Sequence, residues 1–347
     1  MNADYSAISN ISSRCAAGRP TRTVRVAVLG AGQQAAAHLV PALLHVRQAK
    51  IAVIVDPVPG RRDFLADRHG VPARFSTVTE ALVSGLVDCL VAACPPQAHE
   101  RIIAESIAAG ILLFVEKPPA ASTAALADLV TAAQRRDVTT GVGMNFRWAA
   151  PVHRLRELIA DDEAGGPSML TIRHMAGKPS EPMWGLPLWR SFLLAQAIHP
   201  IDLVAFLVGA PVVEVAPACR EADSSVWLSL QMHHSDGSIS SVHCGNLAPR
   251  FEHRVEVSTT AGTTASLNGL TELTVAGRGH IGGSDARKWS KQWRPSPLDV
   301  GYDRTGFVGE LAAFCAAVAD AGQFSPSLAD LLPSYAIMDQ LLPTRIA

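Results

Sequence analysis

Between Val24 and Met144 the apolar positions fall in short, almost continuous runs, separated by longer stretches where apolar and polar residues recur at helical spacing. The runs Val24–Leu29, Ile51–Val55, Cys89–Ala93, Ile111–Val115 and Thr139–Met144 predict strands buried on both faces. Between them, Gln33–Val46, Gly60–His69, Thr77–Ser84, Gln97–Ala109 and Ala121–Arg136 predict helices, with Gly70 and Gly110 as stops. Phe75 begins a short connection, and Pro95–Pro96 and Pro118–Pro119 end the strands before them. Strands alternating with helices imply a parallel sheet covered on both sides.

Further on, the pattern changes. Met169–His174 predicts a strand, and residues 178–190, with three prolines and two tryptophans, predict a loop. Ala197–Val208 is an apolar helix stopped by Gly209. The β-prone runs Val212–Val215, Val226–His233, Ser238–Cys244, Arg254–Thr259 and Thr264–Leu267 follow, with a hairpin turn at 234–237. At that tip the His233–His234 pair predicts a solvated turn rather than a metal site. Two amphipathic helices, Thr305–Ala319 and Leu328–Leu342, come last. The expected fold is α/β: an N-terminal Rossmann domain at 23–146, then an α/β domain at 147–347 built on a large, mostly antiparallel sheet.

Composition narrows the function classes. A chain of 347 residues is long for one core and suits two domains. Its net charge of −1 argues against a nucleic-acid binder, which carries a basic face. No uninterrupted apolar run reaches the roughly 18 residues of a membrane span. The six cysteines include no C-x-x-C pair, so they predict small buried hydrophobes in a reducing, cytoplasmic compartment and no metal site. Residues 1–22 lack the apolar centre of a signal peptide and predict a flexible arm.

The first strand runs into Gly30-Ala31-Gly32-Gln33-Gln34-Ala35, a G-x-G-x-x-A turn that opens a helix. Gly30 permits the tight turn, Gly32 lets backbone amides approach a pyrophosphate, and Ala35 lets helix and sheet pack closely. Asp56 ends the second strand, where a carboxylate can bind a ribose 2′-hydroxyl. The cofactor predicted is therefore NAD. Arg61 and Arg62 lie close behind and leave NADP open.

Several segments together resemble the glucose–fructose oxidoreductase / inositol dehydrogenase / rhizopine-catabolism (Gfo/Idh/MocA) family: VRVAVLGAGQQA at 24–35, IAVIVDP at 51–57, DCLVAACPPQAH at 88–99, GILLFVEKPPA at 110–120, GVGMNFRW at 141–148 and AIHPIDLVAFLVG at 197–209. The resemblance covers nearly all the chain after residue 22. It implies an NAD(P)-dependent oxidoreductase acting on a secondary alcohol of a sugar, nucleotide-sugar or cyclitol. It also implies a large open sheet that often mediates homo-oligomerisation.

In the signature Glu116-Lys117-Pro118, Lys117 is expected to polarise the reacting oxygen, its alternative being a structural ion pair. His199 matches the family's catalytic histidine and is expected as general acid/base, its alternative being a packed core residue. Asp202, three residues on, would orient His199 or serve as a cap or ion-pair partner. Pro95, Gln97, His99 and Glu116 fall on the cofactor side. Asn145 and Arg147 would face substrate, Arg147 alternatively linking the domains. Trp184, Trp189 and Arg190 would form a lid or a packing contact, and Tyr302 and Asp303 would reach substrate. One departure stands out: most dehydrogenases of the family carry an aspartate four residues before the histidine, and here that position is Ala195. A cofactor-binding regulator without catalysis and an imine reductase are the alternatives, the intact Glu116-Lys117-Pro118 counting against the latter.

Overall fold

The structure, a computed structural model, describes residues 22–161, 163–279, 287–296 and 301–345. The arm expected at 1–22 lies, but for Arg22, outside them. Strand β1 (Val24–Leu29) leads into a π-helical turn (Ala35–Leu39) and α1 (Val40–His45). Then come β2 (Ala49–Val55), α2 (Pro59–His69), β3 (Ala73–Phe75), α3 (Val78–Val83), β4 (Cys89–Ala92), α4 (Pro96–Ala109), β5 (Leu112–Glu116), α5 (Thr123–Arg136) and β6 (Thr140–Gly143). The strands form a wholly parallel sheet in the order β3-β2-β1-β4-β5-β6. Its order reverses between β1 and β4, opening a crevice at the carboxyl ends where doubly wound sheets bind ligands.

Two short helices, α6 (Asn145–Trp148) and α7 (Ala150–Ile159), cross to β7 (Pro167–Met175). Next, α8 (Leu188–Phe192), a π-helical turn (Leu193–Ala197) and α9 (Ile198–Val208) run on as one helix. By length and composition Leu188–Val208 is apolar enough to span a membrane, which the sequence reading missed because Arg190 and Asp202 interrupt the run. It is instead a core helix, 89% buried over its most apolar window. The strands β8 (Val212–Ala222), β9 (Ser225–His234), β10 (Ile239–Gly245), β11 (Glu252–Thr259), β12 (Thr264–Asn268), β13 (Glu272–Gly279) and β14 (Arg287–Trp293) follow. Last come α10 (Gly301–Arg304), α11 (Phe307–Asp320), α12 (Leu332–Asp339) and β15 (Thr344–Arg345).

The second sheet runs β14-β13-β12-β11-β7-β10-β9-β8-β15 and is antiparallel except at β7–β10 and β8–β15. Along β9 the buried Val226, Leu228, Leu230 and Met232 alternate with Trp227, Ser229 and Gln231 on the opposite face, the period-two pattern of a sheet packed on one side. Its outer face exposes Met169 and Trp227. Helix α11 returns to the first sheet, where Leu311, Phe314 and Cys315 join Val24, Val26, Val28 and Phe114 in one core.

Several features depart from the sequence reading, which named neither β13 nor β14 and placed the start of α8 in a loop. Phe75 belongs to a short strand rather than a connection. The helix α7 escaped notice although Val152, Leu155 and Ile159 recur at helical spacing on its buried side. His234, expected in a solvated turn, is buried, with Nδ1 at 3.1 Å from the Ala210 carbonyl and Nε2 at 2.8 Å from Ser240 Oγ.

Candidate functional site

The glycine turn is built to be narrow on one side and open on the other. Gly30 sits at φ +86°, and its amide donates to the Val55 carbonyl at 2.8 Å. A Cβ there would lie 2.5 Å from the Ala93 oxygen, so only glycine fits. A Cβ on Gly32 would meet nothing within 4 Å, which leaves room for a ligand against the backbone. Asp56 is buried and locks the turn: its Oδ2 accepts from the Ala31 amide and its Oδ1 from the Val58 amide, each at 2.8 Å. Above lies a cleft of about 610 Å³ lined by Gly30, Gly32, Asp56, Arg61, Cys94 and Pro95 among others. Open space over Gly32, a helical N-terminus and a carboxylate at the end of β2 fit a dinucleotide. Gln33 is exposed on the turn, Gln34 is half-buried near the Glu116 carboxylate, and Ala35 packs inside. Of the two arginines, Arg62 is held by Asp63 and Ser76, whereas Arg61 lines the cleft.

His99, expected against the cofactor, has both ring nitrogens engaged by protein. Nε2 accepts from the Cys94 amide at 2.8 Å and Nδ1 donates to the Pro118 carbonyl at 2.9 Å. It therefore pins the loop after β4 to the loop after β5 instead of touching a ligand. Burial pushes it down to about 4, so it stays neutral.

Lys117 follows β5, and its Nζ donates to the Ala195 carbonyl at 2.8 Å. Burial pulls its ammonium down to about 8, against the opposing pull of Glu116. Glu116 is pushed up to about 7, chiefly by burial, and its Oε1 has no partner. Behind it Glu310 of α11 is wholly buried with both oxygens unpartnered, held well above the carboxylate range by burial and then by Glu116.

His199 stacks on Phe146 with ring centres 4.3 Å apart, and its Nδ1 is buried without a partner. Burial first, then the charge of Lys117, holds it well below the usual imidazole range, so the ring is a neutral proton acceptor. Beside it stand two histidines that sequence reasoning missed. His174 and His253 are paired across β7 and β11, with their Nδ1 atoms 3.2 Å apart, and His174 Nε2 lies 3.1 Å from Gln196 Oε1. The available signal was a histidine at an inward position of each strand, in step with Leu170 and Ile172 on one and Val255 and Val257 on the other.

The remaining expected substrate residues are taken by the scaffold. Arg147 and Asp202 form a buried two-pronged ion pair, Nε to Oδ2 at 2.7 Å and Nη2 to Oδ1 at 2.5 Å. Asp202 thus does not orient His199, and Arg147 is not free for a ligand. Asn145 donates to the Thr305 carbonyl at 2.8 Å, and the buried Trp189 indole donates to the Leu341 carbonyl at 2.7 Å, which makes Trp189 a packing residue rather than part of a lid. Tyr302 packs toward α1, its ring 6.3 Å from that of His45. Arg190 bonds the Ala121 carbonyl and Asp339, while Gln97 donates to the Trp184 carbonyl at 2.9 Å.

Comparison with known proteins agrees with this architecture. Residues 24–144 match the model of an oxidoreductase family with an NAD-binding Rossmann fold, and residues 152–265 match the GFO/IDH/MocA C-terminal domain. An inositol 2-dehydrogenase of Leifsonia xyli is 30% identical over 197 residues, 56% of each chain. The chain thus spans little more than half the length of the inositol 2-dehydrogenases it matches. A D-apiose dehydrogenase of Rhizobium rhizogenes is 23% identical over 85% of this chain and 87% of its own. A dehydrogenase from Chromobacterium violaceum superposes with a TM-score of 0.87 at 33% identity, covering 92% of this chain and 94% of that one. Matches to both halves in their expected order establish that the chain belongs to the GFO/IDH/MocA family of oxidoreductases.

Proposed function

We infer that the protein is an NAD-dependent dehydrogenase interconverting a secondary alcohol and a ketone on a sugar-like or cyclitol-like substrate. One observation carries this: Lys117, just after β5 at the carboxyl end of the first sheet, acts on a buried His199 whose Nδ1 has no partner, and the cleft that fits a dinucleotide lies at the carboxyl ends of the same sheet. The relatives named inositol 2-dehydrogenase and D-apiose dehydrogenase support the substrate class.

The residues divide the work. The glycine turn offers amides to a pyrophosphate, and Asp56 offers acceptor lone pairs to a ribose while repelling a 2′-phosphate, so NAD is preferred to NADP. Bound NAD supplies the acceptor for the hydride that leaves the carbinol carbon. Neutral His199 accepts the hydroxyl proton, and the Lys117 ammonium stabilises the negative charge growing on the same oxygen. In the reducing direction His199, once protonated, returns the proton. The outer face of the second sheet, with Met169 and Trp227 exposed, favours a homo-oligomer. A cofactor-binding regulator without turnover is the second reading, favoured by Ala195 at the aspartate position. NAD-dependent turnover of a polyol and sugar panel by wild type, Lys117→Ala and His199→Ala separates them. Loss of turnover in both variants with NAD affinity retained supports the dehydrogenase, and a wild type inert on every panel member sinks it.

A further inference from the structure

Two buried glutamates face the same stretch of backbone, Gly143–Met144. Glu116 ends β5, and its lateral neighbour on β6 is Gly143. A Cβ on Gly143 would lie 3.2 Å from the Glu116 carboxyl carbon and from its Oε1, so the carboxyl rests against the bare glycine. Met144 follows, and its backbone acts on Glu310. Glu310 comes to that spot from α11, whose first turn is fixed in place. Its amide donates to the Gly306 carbonyl at 3.0 Å, and a Cβ on Gly306 would collide with the Asn145 carbonyl oxygen. One carboxyl therefore arrives from the sheet and the other from the helix.

Their surroundings are unequal. Burial opposes charge on both. On Glu116 the charge is supported by Lys117, by the nearby Gln34 side chain and by the Lys117 amide. On Glu310 it is supported by the Met144 backbone alone, and Glu116 opposes it. Arg25 of β1, His45 of α1, Arg147 of α6 and Asp303 of α10 lie on elements packed against α11 and do not act on Glu310, while Arg304 bonds the Ser296 carbonyl. Lys178 acts on Lys117 and on neither carboxyl. Two buried carboxyls that act on each other do not both ionise, so the charge settles on Glu116 and the proton on Glu310. A buried O–H needs an acceptor. Both oxygens of Glu310 and the Oε1 of Glu116 lack a partner, so the acid has a proton to give and the carboxylate has a bare oxygen to receive it.

We propose that Glu310 is a positioning residue for Lys117: it stays a neutral acid at neutral pH, donates its O–H to Glu116 Oε1, and so keeps the negative charge on the carboxylate that supports the ammonium. Its part in catalysis rests on the dehydrogenase function above, whereas the placement of the proton does not.

Infrared difference spectroscopy of the full chain reads both carboxyls without turnover. The wild-type spectrum minus that of Glu310→Gln at pH 8 should show the carbonyl stretch of a protonated carboxyl, and absence of that band overturns the proposal. The titration of Glu116, identified by its loss in Glu116→Gln, should centre near 7 in wild type. Glu310→Met fills the space but donates nothing, and should raise that midpoint by about 1 unit or more, the worth of a hydrogen bond to a charged group. Glu310→Gln still offers an N–H and should bring the midpoint back close to wild type. A midpoint that falls in Glu310→Met marks relief of repulsion between two charges, and one that stays marks a residue that only fills the core. Either result overturns the proposal. In turnover, the alkaline limb of kcat/KM should move down in Glu310→Met and return in Glu310→Gln, and a limb that stays while Glu116 shifts overturns the link to Lys117. A wild type without turnover counts against the dehydrogenase, and the infrared readings still decide where the proton sits.

Discussion

The ammonium of Lys117 is held by the carbonyl oxygen of Ala195, 2.8 Å away, at the position where the family resemblance implies an aspartate. A backbone carbonyl is a dipole and not a charge, so the lysine is oriented without being neutralised. Burial then depresses it to about 8. Ala195→Asp would place a carboxylate beside it and favour the charged form, raising the lysine by about 1 unit or more. The alkaline limb of the kcat/KM profile should move up by the same amount. A limb that stays in place would show that Lys117 does not set it.

The wild-type profile follows from the same shifts. Alcohol oxidation requires neutral His199 and protonated Lys117. His199 lies well below the usual imidazole range, so lowering the pH from 7 toward 6 leaves it unprotonated. Lys117 loses its proton as the pH rises through about 8, so kcat/KM should fall above that value. Glu116, near 7, reinforces the lysine's charge as it ionises and softens the fall. Lys117→Arg, which stays charged throughout, should be slower yet flat across the alkaline range. Rates measured from pH 6 to 10 at saturating NAD check this.

Arg147 and Asp202 are each buried and satisfy each other, although α6 and α9 are far apart in sequence. Burial alone would push Asp202 up, and Arg147 opposes it. Arg147→Met strands the carboxylate and should cost about 3–5 kcal/mol in urea unfolding at 25 °C. Adding Asp202→Leu removes the stranded group and should recover most of that loss. If the double variant is no better than the single, the pair's value lies in its shape and not in charge compensation.

The legible parts of the chain were those fixed by neighbours in sequence. Gly30, Gly32, Ala35 and Asp56 stand where the strand–turn–helix pattern placed them, because one short segment dictates the turn and the next strand must lie beside it. Lys117 and His199 were nominated through the family resemblance, and the groups the fold packs around them were not. His174 and His253 are 79 residues apart and meet only through the register of β7 and β11, which alternation of apolar positions cannot supply. Glu310 sat in a correctly expected helix whose packing against the first sheet, beneath Glu116, is a tertiary fact. The reverse error has the same origin. Asn145, Arg147, Asp202 and Trp189 are polar or aromatic residues near the site in sequence, and the fold spends their hydrogen bonds on its own backbone and on each other.

Asp56 offers the sharpest test of the cofactor cleft. Both its oxygens already accept a backbone amide, from Ala31 in the glycine turn and from Val58 at the start of α2. The carboxylate therefore shapes the turn, besides the ribose contact proposed for it. Asp56→Asn keeps the size but turns one acceptor into a donor, so one of those two amides faces an N–H group and loses its bond. It also removes the negative charge that repels a 2′-phosphate. Two effects should appear together. NAD should bind about ten-fold more weakly, the cost of one good hydrogen bond to a charged group. NADP should weaken less or gain, because repulsion is relieved and Arg61 already lines the cleft. Dissociation constants for both nucleotides by fluorescence titration decide the matter. An Asp56→Asn protein that keeps the wild-type preference for NAD would mean that discrimination comes from elsewhere in the cleft.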